Sequence, residues 1–98
     1  MYHISDEVYD ELALALQGRI AGQSYFSGTE ECLSGDVRVR LRATLIIYRR
    51  RDQRPEGRFE PIVNIVPVWW ECHTEWGADE LLNDFDFAEL KERIINGD

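Results

Sequence analysis

The sequence predicts a small α+β domain in which two helices pack on one face of a three-stranded antiparallel sheet. Apolar residues recur at helical spacing near both ends of the chain, and a strict two-residue alternation occupies its middle. Turn signals at Ser34 and Gly35 separate the strands from one another. The predicted order is α-β-β-β-α, with residues 1–98 forming a single domain, because 98 residues leave no room for two ordinary cores.

The first predicted helix begins after Ser5 in "SDEVYDELALALQGRI". Its apolar residues repeat every three or four positions, and Asp6 and Glu7 lie in the first turn, where the helix dipole favours acids. The side chain of Ser5 is a suitable N-cap. We expect this helix to end near Gly18 or Gly22.

Two strands follow, "SYFSGTEECL" and "VRVRLRATLIIY". In the second strand the odd residues from Val37 to Ile47 are apolar and form the core face, because burying a row of unpaired arginines would cost several kcal/mol each. If Ser34 and Gly35 close a two-residue hairpin, the arginines lie opposite acids or hydroxyls. The pairs would be Glu31 with Arg38, Thr29 with Arg40, Ser27 with Arg42 and Tyr25 with Thr44. Glu30 is the misfit, since it would then point toward the core.

The third predicted strand is "FEPIVNIVPVWWECHTE", residues 59–75. Pro67 lacks an amide proton, so this strand should lie at a sheet edge. Assigning even positions to the core makes Trp70 the core tryptophan and Trp69 the outer one. With this phase Ile62, Val66, Val68, Trp70 and Cys72 point inward, whereas Val63, Ile65, Pro67, Trp69, Glu71 and His73 point outward.

The last segment, "GADELLNDFDFAELKERIING", predicts a short helical turn and then a helix with Asp86 as N-cap and Glu89 as its capping-box partner. The order α-β-β-β-α resembles that of double-stranded-RNA-binding domains, and this resemblance covers topology alone. Those domains bring a lysine cluster to the RNA at the start of the last helix. Here the matching stretch carries Asp84, Asp86 and Glu89, which would repel phosphate.

Charge is distributed unevenly along the chain, whose net charge is -8. Residues 37–58 carry eight arginines and two acids, a local charge of +6. The predicted hairpin loop "RRRDQRPEGR" contributes five of these arginines. The acidic flanks would slow the approach of a polyanion, so nucleic acid is an unfavoured partner.

The sequence predicts a protein of the cytoplasm that holds no metal and no cofactor. No window is apolar enough for a membrane helix, and the acidic "MYHISDEVYDEL" does not resemble a signal peptide. Cys32 and Cys72 are too few for a disulfide framework. Adjacent strand residues such as Cys72 and His73 point to opposite faces, and no paired ligand spacing typical of zinc sites occurs.

The predicted outer sheet face combines arginine, tryptophan and tyrosine, the residues enriched at binding hot spots. We therefore expect a non-enzymatic binding or accessory domain whose partner is another protein or a second copy. The predicted interaction residues are Tyr25, Arg38, Arg40, Arg42, Ile46, Tyr48, Ile65, Trp69 and Glu71. Arginine stacking on Trp69 could instead only shield it. Two further alternatives are a small enzyme that uses Glu71 and His73 as acid and base, and a surface that stacks single-stranded nucleic acid.

Overall fold

The computed structural model describes residues 1–50 and 61–96 and confirms the α+β fold. Its elements are α1 (Asp6–Ile20), β1 (Tyr25–Ser34), β2 (Val37–Arg49), β3 (Ile62–Trp76), β4 (Asp79–Leu81) and α2 (Phe87–Asn96). The strands form one antiparallel sheet in the order β1-β2-β3-β4. Most of the predicted arginine-rich loop, residues 51–58, lies outside the described residues.

A fourth strand replaces the short helical turn predicted after Trp76. Gly77 has a positive φ of 62°, and this tight turn brings Asp79 opposite Trp76. A left-handed residue favours a hairpin at this point, since glycine adopts that conformation without steric cost. The order is therefore α-β-β-β-β-α, and the topological resemblance to double-stranded-RNA-binding domains ends at β4.

Both helices pack on the face of the sheet that carries the odd residues of β2, as predicted. Ser5 caps α1 by accepting a hydrogen bond from the amide of Val8 at 3.3 Å. At the other end of α1 the Arg49 guanidinium donates to the carbonyl of Ile20 at 2.7 Å. This contact satisfies a carbonyl that has no partner within the helix. The shared core consists of Ile4, Val8, Tyr9, Leu12, Ala13, Leu16, Ile20, Phe26, Val39, Leu41, Ala43, Leu45, Ile47, Ile65, Phe85, Phe87, Leu90 and Ile94.

Asp86 caps α2, although the cap differs from the predicted capping box. Its carboxylate accepts a hydrogen bond from the amide of Ala88 at 3.0 Å. The amide of Asp86 donates to the Tyr9 hydroxyl at 3.0 Å, so Tyr9 takes the role predicted for Glu89. Neither described helix is long and apolar enough to cross a lipid bilayer.

The register between β1 and β2 differs from the predicted one by two residues. Gly35 has a φ of 61°, so Gly35 and Asp36 form the turn and Ser34 lies opposite Val37. Glu31 consequently faces Arg40 rather than Arg38. A shift of two residues preserves the face of every side chain, because the side-chain period in a strand is two. Glu30, the predicted misfit, is paired with Arg19 at 2.6 Å on the helix side of the sheet.

The predicted phase of β3 is wrong for Ile65, Val66 and Val68 but correct for Ile62, which packs against the core. Ile65 is fully buried, whereas Val66 and Val68 are exposed. The cause is two register shifts against β2, at Thr44/Leu45 and at Tyr48/Arg49. Each shift leaves one residue of β3 unpaired and exchanges the two faces, so the faces are exchanged only between the two shifts. The second half keeps the predicted phase, with Cys72 and the buried Thr74 on the core side.

Pro67 lies at a sheet edge, as predicted, because β4 pairs only with Thr74–Trp76 of β3.

Residues 2–4 are fastened to residues 82–84. The amide of Tyr2 donates to the carbonyl of Leu82 at 2.6 Å, and the amide of Asp84 donates to the carbonyl of Tyr2 at 3.1 Å. The Asp84 carboxylate also accepts the amide of Ile4 and contacts Nδ1 of His3, each at 2.7 Å. These two contacts lower the pKa of Asp84 below its ordinary value, the amide of Ile4 having the larger effect.

Candidate interaction face

The candidate site is the sheet face opposite the two helices, here called the outer face. The strand register arranges its side chains in rows that cross β1, β2 and β3. From one end to the other these rows are Tyr48 with Asn64; Tyr25, Ile46 and Val66; Ser27, Thr44 and Trp69; Thr29, Arg42 and Glu71; Glu31, Arg40 and His73; and Leu33, Arg38 and Glu75. The first three rows are mainly apolar, and the last three are mainly charged.

The apolar rows form one continuous surface, here called the aromatic patch. It consists of Tyr25, Ile46, Tyr48, Val66 and Trp69, which are between 37% and 58% exposed. Tyr25, Ile46 and Val66 lie side by side on three neighbouring strands. Large apolar side chains that are grouped on a solvent face are typical of a surface that a partner covers.

Trp69 lies at the border between the two halves of the outer face. The guanidinium carbon of Arg42 is 5.8 Å from the centre of its ring, within the range of a cation–π contact. Arginine stacking on Trp69, which the sequence suggested, is therefore present. Trp69 nevertheless remains 44% exposed, so this contact leaves much of the ring uncovered.

Trp70 points to the other face of the sheet, where it packs against aromatic residues near α2. Its ring centre lies 5.3 Å from that of Phe85 and 6.3 Å from that of Phe87. The predicted division of the two tryptophans between the two faces is thus correct. Trp70 is still 39% exposed. β4 pairs with β3 only from Thr74 onward, so it does not flank Trp70 within the sheet.

Two arginines of the charged rows, Arg40 and Arg42, are paired with glutamates from the neighbouring strands. Arg40 contacts Glu31 at 3.4 Å and Glu75 at 2.7 Å, and Arg42 contacts Glu71 at 3.1 Å. Three arginines (38, 40 and 42) and four glutamates (31, 71, 75 and 80) lie on this face, which gives -1 with His73 neutral. The part of the basic stripe that lies on the described sheet is therefore not a basic surface.

Of the nine residues predicted for the interaction face, eight lie on the outer face and Ile65 does not. Val66 takes the place that Ile65 was expected to occupy, because the phase of β3 is reversed between its two bulges. The unequal lengths of the two paired strands show that bulges are present. Paired from end to end, β3 has 15 residues and β2 has 13, so two residues of β3 have no counterpart.

Glu71 and His73, the candidate acid and base, are adjacent on the outer face. The Nε2 atom of His73 is 3.4 Å from Glu71, and its Nδ1 atom is 2.6 Å from Glu80. Glu71 is also the partner of Arg42. A cleft of about 420 Å³ is lined by His73 and Glu80 together with core-side residues such as Trp70 and Cys72, and Glu71 is not among its lining residues. The pair therefore lies on an open sheet, with both groups engaged in ion pairs, rather than in an enclosed reaction site.

The two glutamates should make stability depend on pH through His73. Hydrogen bonding to Glu80, and secondarily to Glu71, raises the pKa of His73 above its ordinary value. Protonation of His73 therefore stabilises the fold at low pH, and this contribution is lost as the pH rises through the folded-state pKa. We expect the difference in unfolding free energy between the wild type and His73→Gln to shrink as the pH rises above about 6.5, the ordinary pKa of histidine. Urea titrations at a series of pH values measure it, and a difference that grows with pH would contradict the assignment.

Cys32 and Cys72 lie on the core side of the sheet, and both are free thiols. Burial is the main cause that raises the pKa of each to about 12, so both remain protonated and weakly nucleophilic near neutral pH. Within residues 1–50 and 61–96, no three histidine, cysteine, aspartate or glutamate side chains form a group that could hold a metal ion.

Comparison of the chain with protein-family models, curated proteins and solved structures finds no match.

Proposed function

We propose that this protein is a non-enzymatic binding domain that acts through its outer face and that its partner is a second copy of the chain. The observation that carries the proposal is the aromatic patch. Tryptophan and tyrosine contribute most of the binding energy at many protein interfaces, and Trp69 lies beside Arg42, another residue type enriched there.

The area of the outer face lies at the lower end of the range for specific protein interfaces. The 13 residues of β2 at about 3.3 Å each, and three long strands about 4.8 Å apart, cover roughly 600 Å². A standard interface buries about 800 Å² on each partner. The aromatic patch alone is smaller than this, so the proposed contact includes the neighbouring charged rows.

The charge distribution favours a second copy that approaches sheet to sheet. Residues of α1, of α2 and of the segment 82–86 include eight acids and three bases, which gives -5. The outer face, by contrast, sums to -1. Two copies that meet through their outer faces therefore bring together their least charged surfaces and keep the acidic helices apart.

The other two functions receive less support from the same face. The glutamates that pair with Arg40 and Arg42 remove the positive charge that single-stranded nucleic acid would require. The open position of Glu71 and His73 lacks the water-excluding enclosure that favours acid–base catalysis. The cytoplasmic setting predicted from composition is part of the proposal, and the two free thiols fit a reducing compartment.

Trp69→Ala should weaken association without unfolding the protein. The side chain is largely in contact with solvent and Arg42, whereas in the proposed dimer it would be covered by the second copy. We expect the wild type to sediment as a dimer at micromolar concentration, and the variant to lose about 2 kcal/mol or more of association free energy. Sedimentation equilibrium over a range of concentrations measures the change.

Trp70→Ala is the matched control, since it removes the same side chain from the other face. It should lower the unfolding free energy by about 2 to 3 kcal/mol, less than for a fully buried aromatic, and leave the dimer constant of the folded protein close to that of the wild type. A wild type that remains monomeric at millimolar concentration would remove the second copy as the partner. A Trp69→Ala protein that associates as tightly as the wild type would remove the aromatic patch as the contact.

A further inference from the structure

Within residues 1–50 and 61–96 no strand pairs with β1 on the side away from β2, and the backbone groups of this free edge can be assigned residue by residue. The amide of Ile47 donates to the carbonyl of Ser24 at 2.9 Å, so Ser24 directs its backbone groups toward β2. In an antiparallel strand this direction alternates from residue to residue. The odd residues of β1 therefore direct their backbone N–H and C=O groups away from β2, to the free edge of the sheet. These residues are Tyr25, Ser27, Thr29, Glu31 and Leu33.

The opposite edge of the sheet is closed by groups that are themselves anchored. Pro67 has no amide to offer a new strand. Further along β3, the Asn83 side chain donates to the carbonyl of Cys72 at 3.0 Å. Asn83 is held in turn by Thr74 at 3.2 Å, and its Oδ1 accepts the amide of Phe85 at 3.0 Å. Strand addition at this edge would require several of these contacts to break together.

Among the side chains that the structure describes, that of Arg19 from α1 contacts the β1 edge at Thr29. Its Nη1 donates to the carbonyl of Thr29 at 2.8 Å and to the Glu30 carboxylate at 2.6 Å. The guanidinium carbon also lies 4.9 Å from the centre of the Phe26 ring.

Gly28 leaves the space that Arg19 occupies. A Cβ atom at Gly28 would lie 2.9 Å from Nη2 of Arg19 and 3.2 Å from the Phe26 ring. The Arg19 side chain is itself 46% exposed, so solvent and a competing strand can reach it.

We propose that the free edge of β1 is a strand-addition site for a second copy of the chain, and that Arg19 guards it. The two β1 strands would pair antiparallel about Thr29. Tyr25 of each copy would then lie opposite Leu33 of the other, and Ser27 opposite Glu31. Long, regular edge strands are templates for such pairing, and within its described pairing with β2 the ten-residue β1 contains no proline and no register shift.

A second copy fits this edge because β1 is complementary to itself. Tyr25 is 58% and Leu33 68% exposed, and they lie at equal distances on either side of Thr29. Antiparallel pairing places Tyr25 of each copy against Leu33 of the other, so two such contacts form on the same face of the joined sheets. Glu31, the acid of β1 that would lie beside the second copy's Ser27, is paired with Arg40 within each copy and therefore does not oppose this approach.

The proposed pairing is made by backbone groups at the edge of the sheet, although Tyr25 and Leu33 also lie on the outer face. Its test therefore uses the Trp69→Ala background, in which association through the aromatic patch is weakest. Adding Arg19→Ala removes the guard and should raise the association constant about tenfold or more, because pairing then no longer has to break the hydrogen bonds that Arg19 makes within the monomer. Gly28→Ala should act in the same direction, since the new Cβ displaces the guanidinium while its charge is retained.

Thr29→Pro is the reversing variant. The Thr29 amide points to the free edge, so proline there leaves the hydrogen bonds between β1 and β2 in place and blocks the centre of the proposed pairing. The triple variant Trp69→Ala/Arg19→Ala/Thr29→Pro should sediment as a monomer, at a temperature where melting curves show each variant folded. The proposal is overturned if neither Arg19→Ala nor Gly28→Ala increases association, or if Thr29→Pro leaves the increase unchanged. All of these variants carry Trp69→Ala. A negative result would therefore reject pairing at the β1 edge without bearing on the dimer proposed for the outer face.

Discussion

Replacing Leu45 by Asp should leave the protein unfolded at room temperature. Leu45 is fully buried in the centre of β2, and the core residues around it include no basic side chain to pair with a new carboxylate. Burying an unpaired acid, together with losing the leucine side chain, costs several kcal/mol, which is comparable with the whole stability of a small domain, about 5 to 15 kcal/mol. Circular dichroism melts measure the effect.

Ile46→Asp is the matched control, because Ile46 is the next residue and points to the outer face. Its side chain is partly exposed, so the new acid remains hydrated and the fold should survive with a loss of about 1 kcal/mol. Arg42→Asp on the same face should also stay folded. A variant order in which Ile46→Asp unfolds and Leu45→Asp melts like the wild type would show that the two faces of β2 have been exchanged.

Ile65→Ala should destabilise the fold by about 2 to 4 kcal/mol, because Ile65 is fully buried opposite Ile47 and its truncation leaves a cavity. This variant tests the bulges of β3 directly, since uninterrupted alternation from Trp70 would place Ile65 in solvent. Urea denaturation gives the free energy of unfolding.

Val66→Ala, one residue along, should cost less than about 1 kcal/mol because Val66 is partly exposed on the outer face. Should Val66→Ala prove the more damaging of the two, β3 follows the unbroken alternation, and Ile65 belongs to the outer face.

The sequence was sufficient to predict the helices, the faces of β2 and the division of the two tryptophans. Those predictions depend on patterns that extend along a whole element, such as the alternation of apolar and polar residues from Val37 to Ile47. The register of β1 against β2 was wrong by two residues because it depends on which residue adopts the left-handed conformation. The letters "SGD" permit either turn, and the backbone of Gly35 decides between them.

The bulges in β3 were not predictable for a different reason. A bulge is defined by the partner strand, so no pattern within "IVNIVPVWW" reveals which residue lacks a counterpart. The same limit applies to β4. Its three residues can pair with β3 only because the chain reverses direction at Gly77, and three residues are too few to show an alternating pattern. Ion pairs such as Glu31 with Arg40, and the contact of Arg19 with Thr29, depend on side chains from different elements and follow only from the assembled fold.

The bonds between residues 2–4 and 82–84 have a consequence for the order in which the protein folds. The β1–β2 hairpin joins residues close in the sequence, so it can form early and quickly. The hydrogen bonds of the Tyr2 and Ile4 amides instead close a loop of about 80 residues. Bringing the ends of such a loop together costs conformational entropy before the contacts can stabilise the fold. During synthesis these bonds can form only after residue 84 has left the ribosome, so we expect the segment before α1 to dock after the β1–β2 hairpin has formed.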